Sequence, residues 1–204
     1  MYNTEGGFYG YERPDDTINA YYIPLHEGSS GGYATNINMS GTRYWSTFIG
    51  LEDFPGIEYV HPTTNENVIG SGNIVTHEIG HLLNLSHTFG PNNGTGVENE
   101  LQMNDYVSDT PTHFLAQDYT ISYFDESGNP LPKDSELIPD TFLTNSGRDP
   151  VFNIMNYGRR DHMLRFTDDQ TFRMWAGIFI YQPQNFPSSS IITANKLKLS
   201  KRIS

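Results

Sequence analysis

The feature that most constrains this chain is the segment HEIGHLLNLSH at residues 77–87. Apolar residues recur at helical spacing through residues 73–83, which predicts a helix under the first half of the segment. On such a helix His77 and His81 lie one turn apart along the axis and about 40° apart around it. Both imidazoles can therefore reach one metal ion, and the spacing favours zinc.

A catalytic zinc site needs a third protein ligand, for which His87 is the candidate. His87 is too far around a continuing helix to converge on the ion that His77 and His81 share. The chain must therefore turn back, and a residue with positive φ is the usual means. Asn tolerates that conformation best after Gly, so Asn84 is predicted to make the turn.

Glu78 follows the first histidine and is predicted to be the general base. Zinc lowers the pKa of a water molecule that it binds to about 7. A neighbouring carboxylate can accept the proton as this water attacks a peptide carbonyl. The segment therefore predicts a zinc-dependent endopeptidase.

The pattern HExxHxx(G/N)xxH resembles the zinc signature of the metzincin metalloproteases. The continuation His87-Thr88-Phe89 is similar to the pappalysin-like (cytophagalysin-type) branch, and Asn84 stands where that family usually has Gly. The resemblance implies an α/β (α+β) fold with a small mixed sheet, an active-site helix and a loop-rich lower lobe. It also implies a protein or peptide substrate and a secreted or extracellular protein, although the sequence shows no signal peptide.

The same resemblance divides the chain into a catalytic domain at residues 1–186 and a tail at 187–204. The upper lobe is expected at about 1–84 and the lower lobe at about 85–186. Metzincins usually place a strand and a long helix before the buried strand that the sequence predicts at Ile18–Leu25. The domain is therefore expected to be shortened at its N-terminus, either because the chain is a fragment or because the upper lobe is reduced.

Further elements follow from local patterns. A turn leading into a short strand or rim segment is expected at Gly31–Ala34, and a strand at Ile57–Val60. Residues Gly31–Asn36 resemble the rim segment that precedes the active-site helix in metzincins. Thr167 is predicted to cap a second helix, with Asp residues in its first turn. The apolar face of that helix is expected to comprise Phe172, Met174, Trp175 and Ile178.

A second motif, Asn153-Ile154-Met155-Asn156-Tyr157, resembles the methionine turn of metzincins. The resemblance implies that Met155 forms an apolar floor beneath the imidazoles and is not itself a ligand. It also implies that Tyr157 lies near the metal, where its phenol could stabilise an oxyanion. Residues 166–174 resemble the start of the family's C-terminal helix.

The segment Asp105–Pro111 resembles a D-x-V-x-D-T-P stretch that helps to bind calcium in pappalysin-like enzymes. Asp105 and Thr110 are the candidate ligands, because calcium prefers carboxylate and carbonyl oxygens in irregular loops. Hydrogen bonds within local turns are the alternative role for these residues. The chain has no cysteine, so a disulfide cannot stabilise this region.

Composition excludes several functions. A net charge of -12 argues against nucleic acid as a partner, and no apolar run is long enough to span a membrane. The remaining histidines are expected to be surface or hydrogen-bonded residues; they are His26, His61, His113 and His162. Relatives that prefer basic side chains have an acid where this chain has Arg160, so that preference is not transferred.

Three alternatives to the protease remain open. The first is a catalytically inactive zinc-binding module, against which the intact Glu78 argues. The second is a zinc site whose third ligand is a downstream glutamate, which would leave His87 incidental. The third is a calcium-binding or adhesive domain without zinc.

Overall fold

The structure is a computed structural model, and it describes residues 18–23, 31–34, 45–60, 67–90, 105–114, 123–139, 147–158 and 162–181. The predictions that concern Leu25, His26, His61, Arg160 and the tail at 187–204 lie outside those residues. The elements in chain order are β1 (Ile18–Ile23), β2 (Gly32–Ala34), β3 (Trp45–Gly50), a 3-10 turn (Leu51–Asp53), β4 (Glu58–Val60), β5 (Asn67–Ile69), α1 (Asn73–Leu82) and α2 (Asp168–Tyr181).

The larger sheet is mixed, with the strand order β1-β3-β2. β3 pairs parallel with β1 and antiparallel with β2, so it is the central strand. The sequence pattern predicts segments before and after β3 in the chain, but not β3 itself. On β3, Thr47 and Ile49 are fully buried while Phe48 between them is half-buried, as expected for side chains that alternate between two faces.

Aromatic rings cross this sheet in register. Phe48 of β3 stacks on Tyr21 of β1, with ring centroids 5.3 Å apart, and on Tyr33 of β2, with centroids 4.7 Å apart. Both tyrosines are the direct register partners of Phe48. Cross-strand aromatic pairs of this kind stabilise a sheet and oppose a slip in register. β1 itself is half-buried over most of its length, less than the predicted buried strand.

Helix α1 packs on β3 and β2, and its start is anchored from a distance. Gly72, at φ 74°, offers no side chain to the first helical turn. The fully buried carboxylate of Asp53 instead accepts a hydrogen bond of 2.9 Å from the Ile74 amide. An acidic group suits this end of a helix because the exposed amides carry partial positive charge. Asp53 therefore fixes α1 against the 3-10 turn that follows β3.

The strands β4 and β5 form a separate two-stranded antiparallel ladder. The strand predicted at Ile57–Val60 is confirmed, except that β4 begins one residue later, at Glu58. Its side chains are largely exposed: Val60 is 54% exposed and Ile69 of β5 is 61% exposed.

Helix α2 begins with a reciprocal capping box. The Gln170 amide donates to the Thr167 hydroxyl at 3.2 Å, and the Thr167 amide donates to the Gln170 side-chain carbonyl at 3.0 Å. The predicted cap at Thr167 is thus confirmed. The predicted apolar face is wrong at Trp175, which is 51% exposed, whereas Gly177 is buried. The helix packs through Gln170, Arg173 and Gly177 on backbone turns, which the apolar pattern does not reveal.

The described residues between 105 and 158 contain turns and isolated bridges, as expected for a loop-rich lower lobe. Their core comprises Tyr123, Ile138 and Phe152, against which Phe124 packs. A mixed sheet, an active-site helix and a loop-rich lower part confirm the predicted α/β fold class. The exact division into lobes stays a prediction.

Candidate metal centre

The structure brings three histidines together. His77 and His81 lie on α1, and His87 follows the turn after the helix. Each offers a ring nitrogen within 4.8 Å of the other two, and within the described ranges this is the one group of His, Cys, Asp or Glu side chains that could hold a metal. His77 is 4% exposed, while His81 and His87 are half-buried.

Hydrogen bonds at the outer ring nitrogens determine where the imidazole protons lie. His77 Nδ1 is 2.6 Å from the Ile154 carbonyl oxygen, and His81 Nδ1 is 2.8 Å from the Leu85 carbonyl oxygen. Because a carbonyl oxygen only accepts, both Nδ1 atoms carry the proton. In neutral rings both Nε2 atoms are then left with a lone pair, which is the form that binds a metal.

The inner nitrogens face one another at short range. His81 Nε2 lies 3.1 Å from His77 Nε2 and 3.0 Å from His87 Nε2. The unprotonated Nε2 atoms of His77 and His81 cannot hydrogen-bond each other, so only a cation makes their approach favourable. Imidazole nitrogens 2.0–2.1 Å from a shared tetrahedral zinc ion would be about 3.3 Å apart. The donor set therefore fits zinc.

Burial keeps these rings neutral. Desolvation, with the neighbouring His81, lowers the pKa of His77 to about 4. Desolvation, with His81 and His77 nearby, lowers the pKa of His87 to about 2. Desolvation also lowers the pKa of His81. A neutral triad at ordinary pH is ready to bind a metal without first losing protons.

The turn that carries His87 ends α1 in a Schellman motif. The Leu85 amide donates to the Gly80 carbonyl at 3.0 Å, and the Asn84 amide donates to the His81 carbonyl at 3.0 Å. Asn84 has φ 75°, which confirms the predicted left-handed turn. The chain thereby reverses within a few residues and returns His87 to the face of α1 that carries His77 and His81.

The predicted methionine turn lies against α1. Met155 is fully buried, and a Cβ added at Gly80 would lie 2.5 Å from its sulfur atom. Gly80 lies between the two helical histidines in sequence. Met155 therefore occupies the space that a larger side chain at position 80 would need. The Met155 carbonyl also accepts a hydrogen bond of 3.1 Å from the Thr88 amide, next to His87. The turn thus contacts both ends of the zinc motif.

Tyr157 lies beside the triad. Its ring centroid is 4.5 Å from that of His87 and 5.9 Å from that of His77. Phe89 contacts both rings, with its centroid 4.8 Å from that of His87 and 5.0 Å from that of Tyr157. The half-buried Tyr157 therefore forms part of the wall next to the metal centre.

Glu78 is 5% exposed, and burial raises its pKa to about 8. A cation beside it would act in the opposite direction and favour the ionised carboxylate. Gly32 of β2 makes room for this side chain: a Cβ at Gly32 would lie 3.0 Å from Glu78 Oε1. The side chain of the candidate base therefore lies against β2, at one end of the strand order β1-β3-β2.

Asp105 and Thr110, the candidate calcium ligands, are both buried. The Asp105 carboxylate accepts hydrogen bonds from the Val107 amide at 3.1 Å and from the Gln170 side chain at 3.5 Å. Burial raises the pKa of Asp105 to about 7. These contacts attach the loop to α2 through the protein's own donors, and calcium binding there stays a prediction.

The two described histidines outside the triad are buried. His113 is 1% exposed, and its nitrogens lie 2.8 Å from the Thr88 hydroxyl and 2.8 Å from the Phe114 carbonyl oxygen. This agrees with the predicted hydrogen-bonded role. His162 packs on Phe124, with ring centroids 4.8 Å apart. Sequence reasoning missed the support that His113 provides to the residue after His87, because only the fold joins these distant positions.

Comparisons with known proteins identify a matching family, related sequences and similar folds. The Peptidase M43 family model, described as pregnancy-associated plasma protein-A, matches residues 38–179. An extracellular metalloprotease of Verticillium alfalfae is 30% identical over 168 residues, which cover 74% of this chain and 53% of that protein. One of Aspergillus fumigatus is 34% identical over 163 residues, which cover 78% of this chain and 44% of that protein. The chain thus spans about half the length of these curated relatives.

Solved structures show the same fold. Mature mirolysin of Tannerella forsythia, in complex with a cleaved peptide, superposes with a TM-score of 0.52 at 22% identity, over 82% of this chain and 54% of that one. Mirolysin in complex with another compound superposes with a TM-score of 0.51. Neither described helix of the present chain has the length and apolar character required to cross a bilayer.

Proposed function

The chain belongs to the Peptidase M43 family of metzincin-type metalloproteases, and we propose that it is a zinc-dependent endopeptidase with Glu78 as general base. The observation that carries this proposal is the convergence of three imidazoles, the first of which is followed in the chain by the buried carboxylate of Glu78. Three histidines leave one tetrahedral position open, which is the arrangement of a catalytic zinc site and not of a structural one.

His77, His81 and His87 would hold the zinc ion through their Nε2 atoms. When bound, zinc supplies Lewis acidity, which polarises a peptide carbonyl and makes a water molecule more acidic. Glu78 accepts a proton from the attacking water and passes it to the leaving amine. Its burial supports this role, because a desolvated carboxylate is a stronger base than an exposed one.

Tyr157 is the proposed second catalytic residue. Its ring lies closest to His87 of the triad, at 4.5 Å between centroids. From that wall its phenol can donate a hydrogen bond to the oxygen that becomes negative during attack. Met155, which is fully buried against Gly80, supports the triad without being a ligand.

The substrate is proposed to be a protein or peptide in extended conformation. β2 ends the strand order of the mixed sheet and lies against Glu78 at Gly32. An extended peptide that pairs with such an outer strand would place its backbone next to the general base. The cleaved peptide in the mirolysin complex is consistent with this substrate class. The extracellular relatives support secretion as the proposed location.

The decisive experiment combines metal analysis with a casein hydrolysis assay. The purified protein should contain about one zinc ion per chain, and a chelator should abolish hydrolysis until zinc is restored. Glu78→Gln should retain zinc while hydrolysis falls by about 100-fold or more. Glu58→Gln, on the exposed strand β4, is the matched control and should leave hydrolysis unchanged.

Besides the absence of zinc, two outcomes would refute the proposal. A protein that holds zinc but shows no hydrolysis of any protein substrate would be an inactive zinc-binding module. A Glu78→Gln variant with unchanged turnover would leave the zinc site in place but remove Glu78 as the base.

A further inference from the structure

The Asn84 turn supports two of the three candidate zinc ligands. Its Leu85 carbonyl accepts the hydrogen bond from His81 Nδ1 at 2.8 Å, which orients that ring. The same turn directs the chain back to His87. The turn depends on φ 75° at Asn84, a conformation that residues other than Gly adopt infrequently. A contact from outside the turn can therefore stabilise it.

Arg173 of α2 contacts this turn directly. Its Nε donates to the Asn84 carbonyl at 2.7 Å, and its Nη1 lies 3.4 Å from the Tyr106 carbonyl oxygen. The guanidinium also lies 6.0 Å from the centre of the Tyr106 ring. A planar guanidinium can bridge two carbonyl groups in a fixed geometry, which a single ammonium cannot reproduce. Arg173 thus joins the zinc-motif turn to the 105–110 loop.

Contacts of Gln170 and Gly177, on the same face of α2, hold Arg173 in position beside the Asn84 turn. One turn earlier, the Gln170 side chain exchanges hydrogen bonds with Asn153 of the methionine turn, at 2.8 and 3.2 Å. One turn later, Gly177 packs closely on the Asn84 turn, where an added Cβ would lie 2.8 Å from the Leu83 carbonyl oxygen. Side chains at these spacings share one face of a helix. That face therefore contacts both turns of the metal centre.

From this geometry we propose that Arg173 is a positioning residue, which holds the left-handed turn at Asn84 and through it keeps His81 and His87 in place for the metal. The inference rests on the zinc site of the proposed function. In the contacts described above, Arg173 touches neither the triad nor β2, the strand with which the substrate is proposed to pair. Its effect reaches the metal through the backbone of residues 84–87.

The test measures zinc affinity by competition with a chelator in Arg173→Met, which keeps the aliphatic part of the side chain but lacks the donors. We expect affinity to fall by about 10- to 100-fold, as is usual when a group that orients a metal ligand is lost. The visible absorption of the cobalt-substituted protein should change with the ligand geometry. Arg148→Met, the same replacement at a half-buried arginine outside the site, should leave both unchanged.

A rescue variant separates positioning from general stabilisation. A glycine at this position adopts positive φ without strain, so adding Asn84→Gly to Arg173→Met should recover part of the lost zinc affinity. A purely structural role of Arg173 would lower the unfolding temperature of the metal-free protein but would show no such recovery. Equal losses of affinity in Arg173→Met with and without the added Asn84→Gly change would overturn the inference.

Should Arg173→Met fail to fold, Arg173→Lys decides the question. Lysine keeps the charge but lacks the planar group that bonds both carbonyls in a fixed geometry, so an intermediate loss of affinity is expected, and full affinity would count against the role. Wild-type affinity in Arg173→Met beside a zinc-binding parent protein would refute only this inference. A parent protein that does not bind zinc would instead refute the proposed function.

Discussion

The two helices serve the metal centre in different ways. α1 (Asn73–Leu82) carries His77, His81 and the candidate base Glu78. α2 (Asp168–Tyr181) contributes no side chain to the triad. Its inner face instead binds backbone and amide groups of the two turns that orient the triad, through Gln170 and Arg173.

This difference shows that ligand identity and ligand geometry come from separate parts of the chain. The helix with the motif supplies nitrogen atoms, but the Ile154 and Leu85 carbonyls determine which nitrogen carries the proton. Those carbonyls belong to turns, and turns need support from elsewhere in the fold. Changes to the three ligands should therefore remove the metal site, while changes on the inner face of α2 should loosen it.

The largest effect is expected from His87→Ala. Loss of a direct ligand should weaken zinc binding by more than the roughly 100-fold upper range for residues that only orient a ligand. Chelator competition measures this directly, with His162→Ala, at a buried histidine outside the triad that packs on Phe124, for comparison. Full zinc affinity in His87→Ala would show that His87 is not a ligand and would favour a downstream glutamate as third ligand.

Gln170→Leu should be the most damaging change on α2. Gln170 is fully buried and bonds Asn153, Thr167 and Asp105, so its loss leaves several buried polar groups without partners. We expect the free energy of unfolding of the metal-free protein to fall by about 2–4 kcal/mol, measured by urea denaturation. Thr171→Ala, at an exposed position on the same helix, should change it by less than about 1 kcal/mol.

A smaller effect on stability is expected at Gly80 of α1 and Gly177 of α2, two buried glycines that compare the helices directly. Gly→Ala in a helix normally stabilises by about 1 kcal/mol, but Gly177→Ala would place Cβ 2.8 Å from a backbone oxygen of Leu83. We expect a loss of about 1–3 kcal/mol in unfolding free energy. Gly80→Ala meets the adaptable Met155 side chain, so its loss should be smaller. A stabilised Gly177→Ala would show that α2 packs less closely than described.

The smallest effect concerns pH. Burial lowers the pKa of His113 to about 4 from an ordinary 6.5, so between these values the unfolded chain binds more protons than the folded one. The stability contributed by neutral His113 is therefore present above pH 6.5 and is lost as pH falls towards 4. Urea denaturation of the metal-free protein should show the wild type losing more stability than His113→Gln between pH 7 and 5. Parallel losses would contradict this assignment.

The local parts of the metal centre could be predicted from sequence. The spacing of His77, His81 and His87, and the tolerance of Asn84 for positive φ, are properties of neighbouring residues. The Thr167 cap is likewise local. By contrast, β3 (Trp45–Gly50) was missed although it is as long as β1, because its place as the central strand depends on its pairing with β1 and β2. The apolar pattern around Trp175 was misleading, since α2 packs on polar backbone turns.

What the sequence determined by itself was the chemistry: which residues can bind a metal, which carboxylate lies next to them, and where the helix must end. The tertiary structure decided everything that depends on contact between distant residues. Asp53 at the start of α1, the Ile154 carbonyl behind His77 and Arg173 behind the Asn84 turn are all of this kind. A backbone carbonyl is present at every residue and an arginine has no periodic signature, so only folding shows which of them meets the metal centre.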